Sequence, residues 1–344
     1  MSPRSRTLLI FSLLVLSLLI FMILDIFTGS VDIPPGKIIS LLIRPPDTAD
    51  EISMIIYRFR IPKALTAILA GSALSVSGLQ MQTIFRNPLA GPYVLGISSG
   101  ASLGVALLVL TTTGLGFLPG QAILSYWSVA AAAWIGSGLV LVAIMMVSLR
   151  IRDIMTILIL GILFGSITTA VVSILQYFSS ETMLRTFVIW TLGSLGNVDS
   201  SQLIILIICT GAGVLLTFFS TKSLDSLLIG EDYARSLGIN ILTTRILVFT
   251  STSILAGTVT AFCGPVGFIG IIVPHIARLV FRTARHSVLI PASVLIGSCL
   301  LITADIISQL PGSEYLVPIN SVTALLGIPV VIWIVLKNKT VHMA

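Results

Sequence analysis

Residues 154–177 read IMTILILGILFGSITTAVVSILQY and contain no Asp, Glu, Lys or Arg. A helix needs roughly 20 mostly apolar residues to cross about 30 Å of hydrocarbon, so this stretch predicts a transmembrane helix. Comparable apolar runs recur along the 344-residue chain, which has 56% hydrophobic and 9% charged residues. Because soluble domains carry about 25% charged residues, the composition excludes a water-soluble fold.

The apolar runs together predict an all-α polytopic membrane protein of about ten transmembrane helices, in a single domain over residues 1–344. Residues 264–267 (GPVG) alone separate the seventh and eighth runs, so a re-entrant or broken helix is an alternative there. The first run follows two arginines, as in a secretory signal, but no small-residue cleavage site follows it, so a helix is predicted. The predicted spans are residues 7–27, 64–84, 94–112, 123–148, 154–177, 201–219, 246–263, 264–282, 288–309 and 317–336.

The distribution of basic residues predicts the orientation. If the N-terminus is cytoplasmic, thirteen of the 19 Lys and Arg residues lie inside and six outside. Translocated loops are poor in basic residues, so both termini are predicted to be cytoplasmic. The net charge of +6 is therefore interpreted as a membrane-orientation signal and not as a nucleic-acid surface. Cys209, Cys263 and Cys299 lie far apart within predicted spans, and neither a disulfide nor a metal site is expected.

Small residues recur every four positions in two predicted spans and so share a helix face. One stripe is Gly96, Gly100 and Gly104, and the other lies at positions 67, 71 and 75. Such stripes let helix backbones approach closely, so both are interpreted as packing surfaces.

The predicted external segment, residues 28–63, is too polar for a simple turn. Its end nearest the membrane carries Arg58, Arg60 and Lys63, with Pro62 suited to a first helical turn. Basic groups at a helix start oppose the helix dipole, so another interaction should favour them. The residues alone leave two interpretations open: docking of an acidic partner, or snorkelling toward lipid headgroups. Asp25 and Asp305 also fall near outer span ends, where water is expected to reach them.

The longest predicted cytoplasmic stretch, residues 221–245, contains the start and stop signals of a two-turn helix. Acidic residues open it, an arginine comes late and a glycine closes it. Tyr233, Ala234 and Leu237 are expected to share one face, which could fit a groove on a cytoplasmic partner. A helix lying in the lipid headgroups is the alternative. The helical segment consists of Gly230, Glu231, Asp232, Tyr233, Ala234, Arg235, Ser236, Leu237 and Gly238.

Several chemistries have no support in the sequence. The pair Gly36-Lys37 lacks the first glycine and the Ser or Thr of a phosphate-binding loop, so this chain is not expected to bind ATP in that way. No zinc-protease, serine-nucleophile or paired-carboxylate pattern emerges, and no enzyme is predicted. A secondary carrier should show intramembrane charges around an ion site, and the spans show few.

Ordered motifs run through almost the whole chain. They are residues 60–63 (RIPK), 71–80, 87–92 (NPLAGP), 95–96, 100–101, 190–194 (WTLGS), 230–238, 264–270 (GPVGFIG), 274–275, 304–305 and 323–329 (TALLGIP). In this order they resemble the permease family of ATP-binding-cassette (ABC) importers for ferric siderophores, haem and cobalamin. The loop motif of that family is matched here by Asn87, Pro88, Leu89, Ala90 and Pro92.

The resemblance implies a type II ABC importer permease in a bacterial inner membrane, paired with a second copy as a homodimer. Two cytoplasmic ATPase subunits would use ATP and Mg, and a periplasmic or lipid-anchored binding protein would deliver the substrate. This chain itself would bind no cofactor. The favoured substrate class is an iron(III) chelate, siderophore or haem, with cobalamin or an oxyanion as alternatives.

The resemblance also implies roles for residues. The 230–238 segment would be the coupling helix that meets the ATPase, and Arg58, Arg60 and Lys63 would dock the binding protein. The fifth and tenth spans would line the path, with a cytoplasmic gate near Ile154 and Met155. Two positions depart from the family, because Lys63 lacks the bidentate geometry of arginine and Gln309 is uncharged where the vitamin B12 permease has an arginine.

Overall fold

The structure is a computed structural model that describes residues 3–29, 31–43, 50–111, 125–151, 153–309 and 316–341. Parts of the predicted external segment, residues 30 and 44–49, lie outside the described residues. The described chain is helical, and a 3₁₀ turn, Pro92–Leu95, links α4 to α5. The helices are α1 (Pro3–Phe27), α2 (Pro35–Ile43), α3 (Glu51–Ile55), α4 (Ile61–Ile84), α5 (Ile97–Thr111), α6 (Tyr126–Arg150), α7 (Ile154–Tyr177), α8 (Glu181–Leu192), α9 (Ser200–Phe219), α10 (Thr221–Ile229), α11 (Glu231–Ser236), α12 (Ile241–Cys263), α13 (Ile269–Phe281), α14 (His286–Ser308) and α15 (Ile319–Val341).

The all-α polytopic fold predicted from the sequence is confirmed. Among the described residues, seven helices are long and apolar enough to cross a membrane: α1, the continuous helix Glu51–Ile84, α6, α7, α9, α12 and α14. Shorter apolar helices, α5, α13 and the Ile319–Ile334 part of α15, coincide with the remaining predicted spans. The end of the bundle that holds α10 and α11 is called the inner end below, and the end that holds α2 and α3 is called the outer end.

Helix α4 is the centre of the bundle, because small residues let neighbouring backbones come close to it. A Cβ added at Gly71 would lie 2.2 Å from the carbonyl oxygen of Gly297 on α14. A Cβ at Gly78 would lie 1.8 Å from the carbonyl oxygen of Gly270 on α13. Both distances are far below van der Waals contact, so these crossings require glycine. The predicted packing role of the stripe is confirmed at positions 71 and 75, which both lie against Gly297, and position 67 is buried on the same helix.

The second glycine stripe packs α5 against α6. Gly104 approaches the backbone of Ala132, and Gly100 and Gly136 approach each other, with added Cβ atoms 2.1–2.6 Å from the opposing carbonyl oxygens. Gly96 ends the 3₁₀ turn with a φ of +76° before α5 begins, and a Cβ there would lie 3.5 Å from Val140 Cγ1 on α6 and 3.2 Å from the carbonyl oxygen of Gly161 on α7. The predicted close packing is therefore confirmed at all three glycines, and only the expectation that Gly96 lies within the helix is wrong, because α5 starts one residue after it.

The break at residues 264–268 divides the predicted seventh and eighth spans. Helix α13, with 13 residues, covers about 20 Å at 1.5 Å per residue, which is less than the hydrocarbon thickness. The non-helical backbone before it is bonded within the protein, since Gly267 N–H donates to Asn320 Oδ1 at 3.1 Å and Ser194 N–H donates to Cys263 O at 2.8 Å. The structure thus favours the broken-helix alternative over two full spans.

A π-helical turn, Ile56–Arg60, joins α3 and α4 into one helix. Pro62, in the first turn of α4 as predicted, has no N–H to donate to the carbonyl of Arg58 four residues earlier. The chain takes a wider turn instead, and the N–H of Ile61 donates to Ile56 O, five residues back. In this turn Arg60 is buried while Arg58 stays exposed.

Candidate sites at the two ends of the bundle

At the outer end, Arg60 caps the C-terminus of α1. Its guanidinium donates to Ile26 O at 2.8 Å, to Phe27 O at 3.2 Å and to Val31 O, and its side chain is 7% exposed. The last carbonyls of a helix lack partners within the helix, and a cation there is favoured by the helix dipole. Arg60 therefore has a structural role in this conformation. The docking role of Arg58, Arg60 and Lys63 stays a prediction, and of the three Arg58 is exposed and Lys63 is half-buried.

Lys63 belongs to a buried polar cluster, here called the outer cluster, with Asp25, Asp305 and Gln309. Lys63 Nζ lies 3.0 Å from Asp305 Oδ2. The side-chain amide of Gln309 donates to Asp25 Oδ1 at 2.9 Å and to Asp305 Oδ2 at 3.2 Å. Both carboxyl groups are 2% exposed, so the expectation that water reaches them is wrong. They are stabilised by one ammonium and one amide within the chain, because a buried charge requires a partner.

The outer cluster borders a cavity of about 600 Å³ at the outer end. Its walls include Phe59, Lys63 and Asp305, together with residues 192–197 between α8 and α9 and residues 316–319 before α15. Farther out, Lys37 Nζ pairs with Asp50 Oδ2 at 2.9 Å on the surface, and this pair lowers the pKa of Asp50. The outer end thus contains two ion pairs, of which Lys63–Asp305 is largely buried and Lys37–Asp50 is exposed.

At the inner end, the predicted short helix is observed as α11, and a single residue separates it from α10. That residue, Gly230, has a φ of +154° and a ψ of +151°. Residues with a Cβ rarely adopt this conformation. A Cβ there would meet only the Arg86 guanidinium, at 3.9 Å, so the backbone angle and not the available space requires glycine.

An ion pair joins α11 to α12. Glu231 Oε1 lies 2.8 Å from Arg245 Nη2, and the Arg245 side chain is 4% exposed. Glu231 also pairs with Arg235 one turn later, at 3.6 Å. Movement of α11 would therefore pull directly on α12.

The exposed face of α11 differs from the prediction. Tyr233 is 46% exposed and Leu237 56% exposed, as a partner-binding face requires, but Ala234 is fully buried against Leu227 and Ile241. Successive helical residues are about 100° apart, so Ala234 packs against the bundle while the preceding residue, Tyr233, faces outward. The coupling role of the segment stays a prediction.

The motif loop follows α4 at the same end. Asn87 Oδ1 accepts a hydrogen bond from Leu89 N–H at 2.9 Å, and the carbonyl of Pro88 lies 2.8 Å from His275 Nε2 on α13. Ala90 is buried and Leu89 is 40% exposed. Pro92 is buried as the first residue of the 3₁₀ turn. The loop is thus held by α13 and presents an apolar side chain outward.

The predicted gate residues lie at the start of α7, also at the inner end. Asp153 caps this helix by accepting hydrogen bonds from Thr156 N–H at 2.9 Å and Thr156 Oγ1 at 2.6 Å, and these bonds lower the pKa of Asp153. Met155 is 44% exposed. Ile154 packs against a buried apolar cluster, here called the inner core, which includes Leu224 of α10.

Helix α7 buries little of its surface in the single chain, although it is long and apolar. A groove of about 520 Å³ runs along it and is lined by Ser166, Thr169 and Ser173. Each of these hydroxyls donates to the carbonyl four residues earlier, at 2.8–3.0 Å. The groove therefore offers oxygen acceptors on an otherwise apolar face. The predicted tenth span, α15, is similarly exposed at Leu325 and Ile332.

Sequence reasoning missed two features of these sites. Helix α10 was included in a loop, although its first residues follow α9 almost directly. The outer cluster was missed because its members, at positions 25, 63, 305 and 309, are distant in sequence. The spacing of Asp305 and Gln309 by one helical turn was the only local signal.

A bundle with seven helices, among the described residues, that are long and apolar enough to cross a membrane defines a multi-pass membrane protein. The chain belongs to the FecCD transport family, which matches residues 17–337. It is 35% identical to the vitamin B12 import system permease protein BtuC of Klebsiella pneumoniae, over 95% of this chain and 93% of that protein. It is 32% identical to the hemin transport system permease protein HmuU of Yersinia pestis, over 95% of this chain and 96% of that protein.

The fold agrees with a solved structure. A chain from an inward-facing structure, assigned to the metal-chelate type of ABC transporters, superposes with a TM-score of 0.82 and 26% sequence identity. The alignment covers 95% of this chain and 99% of that chain. The protein is therefore a transport subunit of the ABC importer permease class, and this class works with ATPase and substrate-binding partners.

Proposed function

We propose that this chain is the permease of an ABC importer for a large metal chelate, and that it acts as a homodimer with both termini in the cytoplasm. The likeness in fold to a metal-chelate type ABC transporter over 95% of the chain carries this proposal. The transported molecule is an iron(III) chelate, either a siderophore or haem. Cobalamin is supported equally by the names of the relatives, and an oxyanion is the remaining alternative.

The exposed faces of α7 and α15 support the dimer. Helix α7 contains no charged residue, and most of it is not buried in the single chain. One face of this helix carries hydroxyl oxygens, whereas a face that contacts only lipid needs no polar groups. A second copy facing it would enclose a path with an apolar wall and scattered acceptors. Such a wall suits a large substrate that is held weakly and released by alternating access.

The contacts of α10 and α11 support the coupling role. Leu224 of α10 packs in the inner core with Phe85, Ile157 and Phe249, and Ile154 packs against the same core. The side of α11 that carries Tyr233 and Leu237 is exposed. An ATPase that binds this side would act on a segment already packed against the predicted gate. The chain itself hydrolyses no ATP in this proposal.

The test is to reconstitute the chain with its ATPase in nanodiscs and to measure ATP hydrolysis. Three binding proteins are added one at a time, loaded with haemin, with a ferric siderophore or with cyanocobalamin. Stimulation by one loaded protein supports the importer and identifies the substrate class. Transport by the permease alone in proteoliposomes, without an ATPase, would refute the proposal in favour of a secondary carrier.

A variant of α11 makes the same experiment specific for the coupling role. Leu237→Asp places a charge on the exposed face of α11, and no buried contact is disturbed. We expect it to abolish stimulated hydrolysis and uptake while the permease still folds and extracts from the membrane as the wild type does. Wild-type uptake by this variant would contradict the coupling role of α11.

A further inference from the structure

The ring of His286 lies between two helices at the inner end, and none of the functions above involves it. His286 is the first residue of α14 and is 1% exposed. Its Nδ1 lies 2.6 Å from Asp225 Oδ1 on α10, and its Nε2 lies 2.8 Å from Thr83 Oγ1 on α4. Because a carboxylate only accepts, Nδ1–H donates to Asp225, and the ring bonds to two helices at once.

Asp225 also caps α14 from outside that helix. The residue at the N-cap position, Arg285, makes no side-chain cap bond. Asp225 Oδ1 instead accepts from the backbone N–H of His286 at 2.8 Å. A carboxylate at a helix N-terminus satisfies an unpaired donor and is favoured by the helix dipole. One carboxylate of α10 therefore holds both the backbone and the side chain of the first residue of α14.

Thr83 extends this contact to the motif loop. It lies in the last turn of α4, shortly before residues 85–91. Its hydroxyl lies within hydrogen-bond distance of His286 Nε2, at 2.8 Å, and of Leu79 O, at 2.9 Å, and its single proton serves one of these acceptors at a time. Leu224, the neighbour of Asp225 on α10, packs with Phe85 in the inner core. Helix α10 is thus connected to the end of α4 by the apolar contact of Leu224 and, through His286 of α14, by the polar contact of Asp225.

We propose that Asp225, His286 and Thr83 form a polar linkage that transmits displacement of α10 and α11 to α4 and to the loop at 85–91. His286 is the positioning residue of this linkage, because it alone bonds to both other members. The proposal rests on the coupling role proposed above and adds the route from the coupling segment to the spans. Hydrogen bonds suit this task because they fix direction and distance, whereas apolar contacts can slide.

Two substitutions separate the two halves of the linkage. The side-chain amide of asparagine superposes on Nδ1 of histidine, so His286→Asn retains the bond to Asp225 and loses Thr83. The amide of glutamine superposes on Nε2, so His286→Gln retains Thr83 and loses Asp225. Thr83→Val removes the hydroxyl without changing the shape of the side chain, and Thr83→Ser restores the hydroxyl. Ser287→Ala, at the exposed next residue, is the matched control.

The readout is the accessibility of the motif loop, so it does not depend on knowing the substrate. Leu89→Cys is introduced into a chain whose three native cysteines are replaced by alanine. The complex with the ATPase is placed in nanodiscs, and the rate of maleimide labelling at position 89 is measured without nucleotide and with Mg-ATP and vanadate. ATP hydrolysis is recorded for every variant to establish that the complex is assembled.

We expect the labelling rate to change with nucleotide in the wild type, in Ser287→Ala and in Thr83→Ser. His286→Gln, His286→Asn and Thr83→Val are expected to lose this change while ATP hydrolysis continues. If Thr83→Val and His286→Gln kept the wild-type change in labelling rate with nucleotide, the linkage would be overturned and the coupling role would stay intact. No nucleotide-dependent change in the wild type would likewise overturn the linkage, because the loop would then receive no displacement, whereas the coupling role is tested separately by stimulated hydrolysis and uptake in Leu237→Asp.

Discussion

Replacing Lys63 by glutamine is expected to destabilise the fold and not primarily to weaken docking. The ammonium of Lys63 lies 3.0 Å from Asp305 Oδ2, and its side chain is 21% exposed. Without it, Asp305 keeps the amide of Gln309, whose nitrogen it shares with Asp25, and its side-chain hydrogen bond with Asp25. Two adjacent buried carboxyl groups would then lose the ammonium that pairs with Asp305.

The size of the effect follows from this burial. Removing one partner of a fully buried ion pair costs about 3–5 kcal/mol. Because Lys63 retains some contact with solvent, we expect about 2–3 kcal/mol for Lys63→Gln. The double variant Lys63→Gln with Asp305→Asn removes both charges and leaves two amides that can bond. It should recover part of the loss, with a coupling energy of about 1–3 kcal/mol.

The assay is thermal unfolding of the purified chain in nanodiscs, with Lys37→Gln as the matched control. Lys37 forms an ion pair of similar length with Asp50, but both side chains are about half exposed, and such pairs contribute little. Equal unfolding temperatures for Lys63→Gln and Lys37→Gln would refute the structural role of Lys63. If the unfolding temperatures were equal and Lys63→Gln bound the loaded binding protein more weakly than Lys37→Gln, the docking interpretation of Lys63 would replace the structural one.

Two further predictions concern packing and pH. Gly78→Ala should destabilise the bundle by about 1–3 kcal/mol, because the new Cβ would lie 1.8 Å from the carbonyl oxygen of Gly270. Gly138→Ala, with nothing within 4 Å, should be neutral or stabilising by up to about 1 kcal/mol, and thermal unfolding compares the two; equal unfolding temperatures would contradict the close crossing. Asp153 has a lowered pKa in the folded protein, so its ionised form stabilises the fold above the ordinary aspartate pKa, and this stabilisation is lost as the pH falls through the lower folded-state value. Asp153→Asn should therefore be less stable than wild type at neutral pH and equally stable in strong acid, and a difference independent of pH would contradict this role.

Much of the fold could be predicted from apolar run length alone. The fifth predicted span, residues 154–177, coincides with α7, because an uncharged apolar run has no other stable position than the membrane. The prediction was less successful at the eighth span. Apolar composition extends from Gly264, but the backbone is non-helical until Ile269 and is bonded to neighbouring segments. A hydropathy pattern reports apolar composition and does not distinguish helical from non-helical backbone within an apolar run.

The candidate sites divide in the same way. The short helix at 231–236 was predicted because its first-turn acids, late arginine and flanking glycines are local signals. The sequence also placed Arg58, Arg60 and Lys63 together. It did not distinguish the exposed Arg58 from the buried Arg60, because that difference depends on the π turn before Pro62 and on the position of the end of α1.

The sequence by itself determined that this protein is a polytopic helical membrane protein and that a short helix forms within the polar stretch 221–245. It also determined which family the chain resembles. These properties depend on composition and on motifs within a few residues. The tertiary structure alone decided that Lys63 is paired with Asp305, that Gln309 joins two buried carboxyl groups, and that His286 bonds to both Asp225 and Thr83. Those contacts join residues up to 284 positions apart. Hydrogen bonds and ion pairs depend on distances of a few ångströms, and only the packed bundle fixes such distances between remote segments.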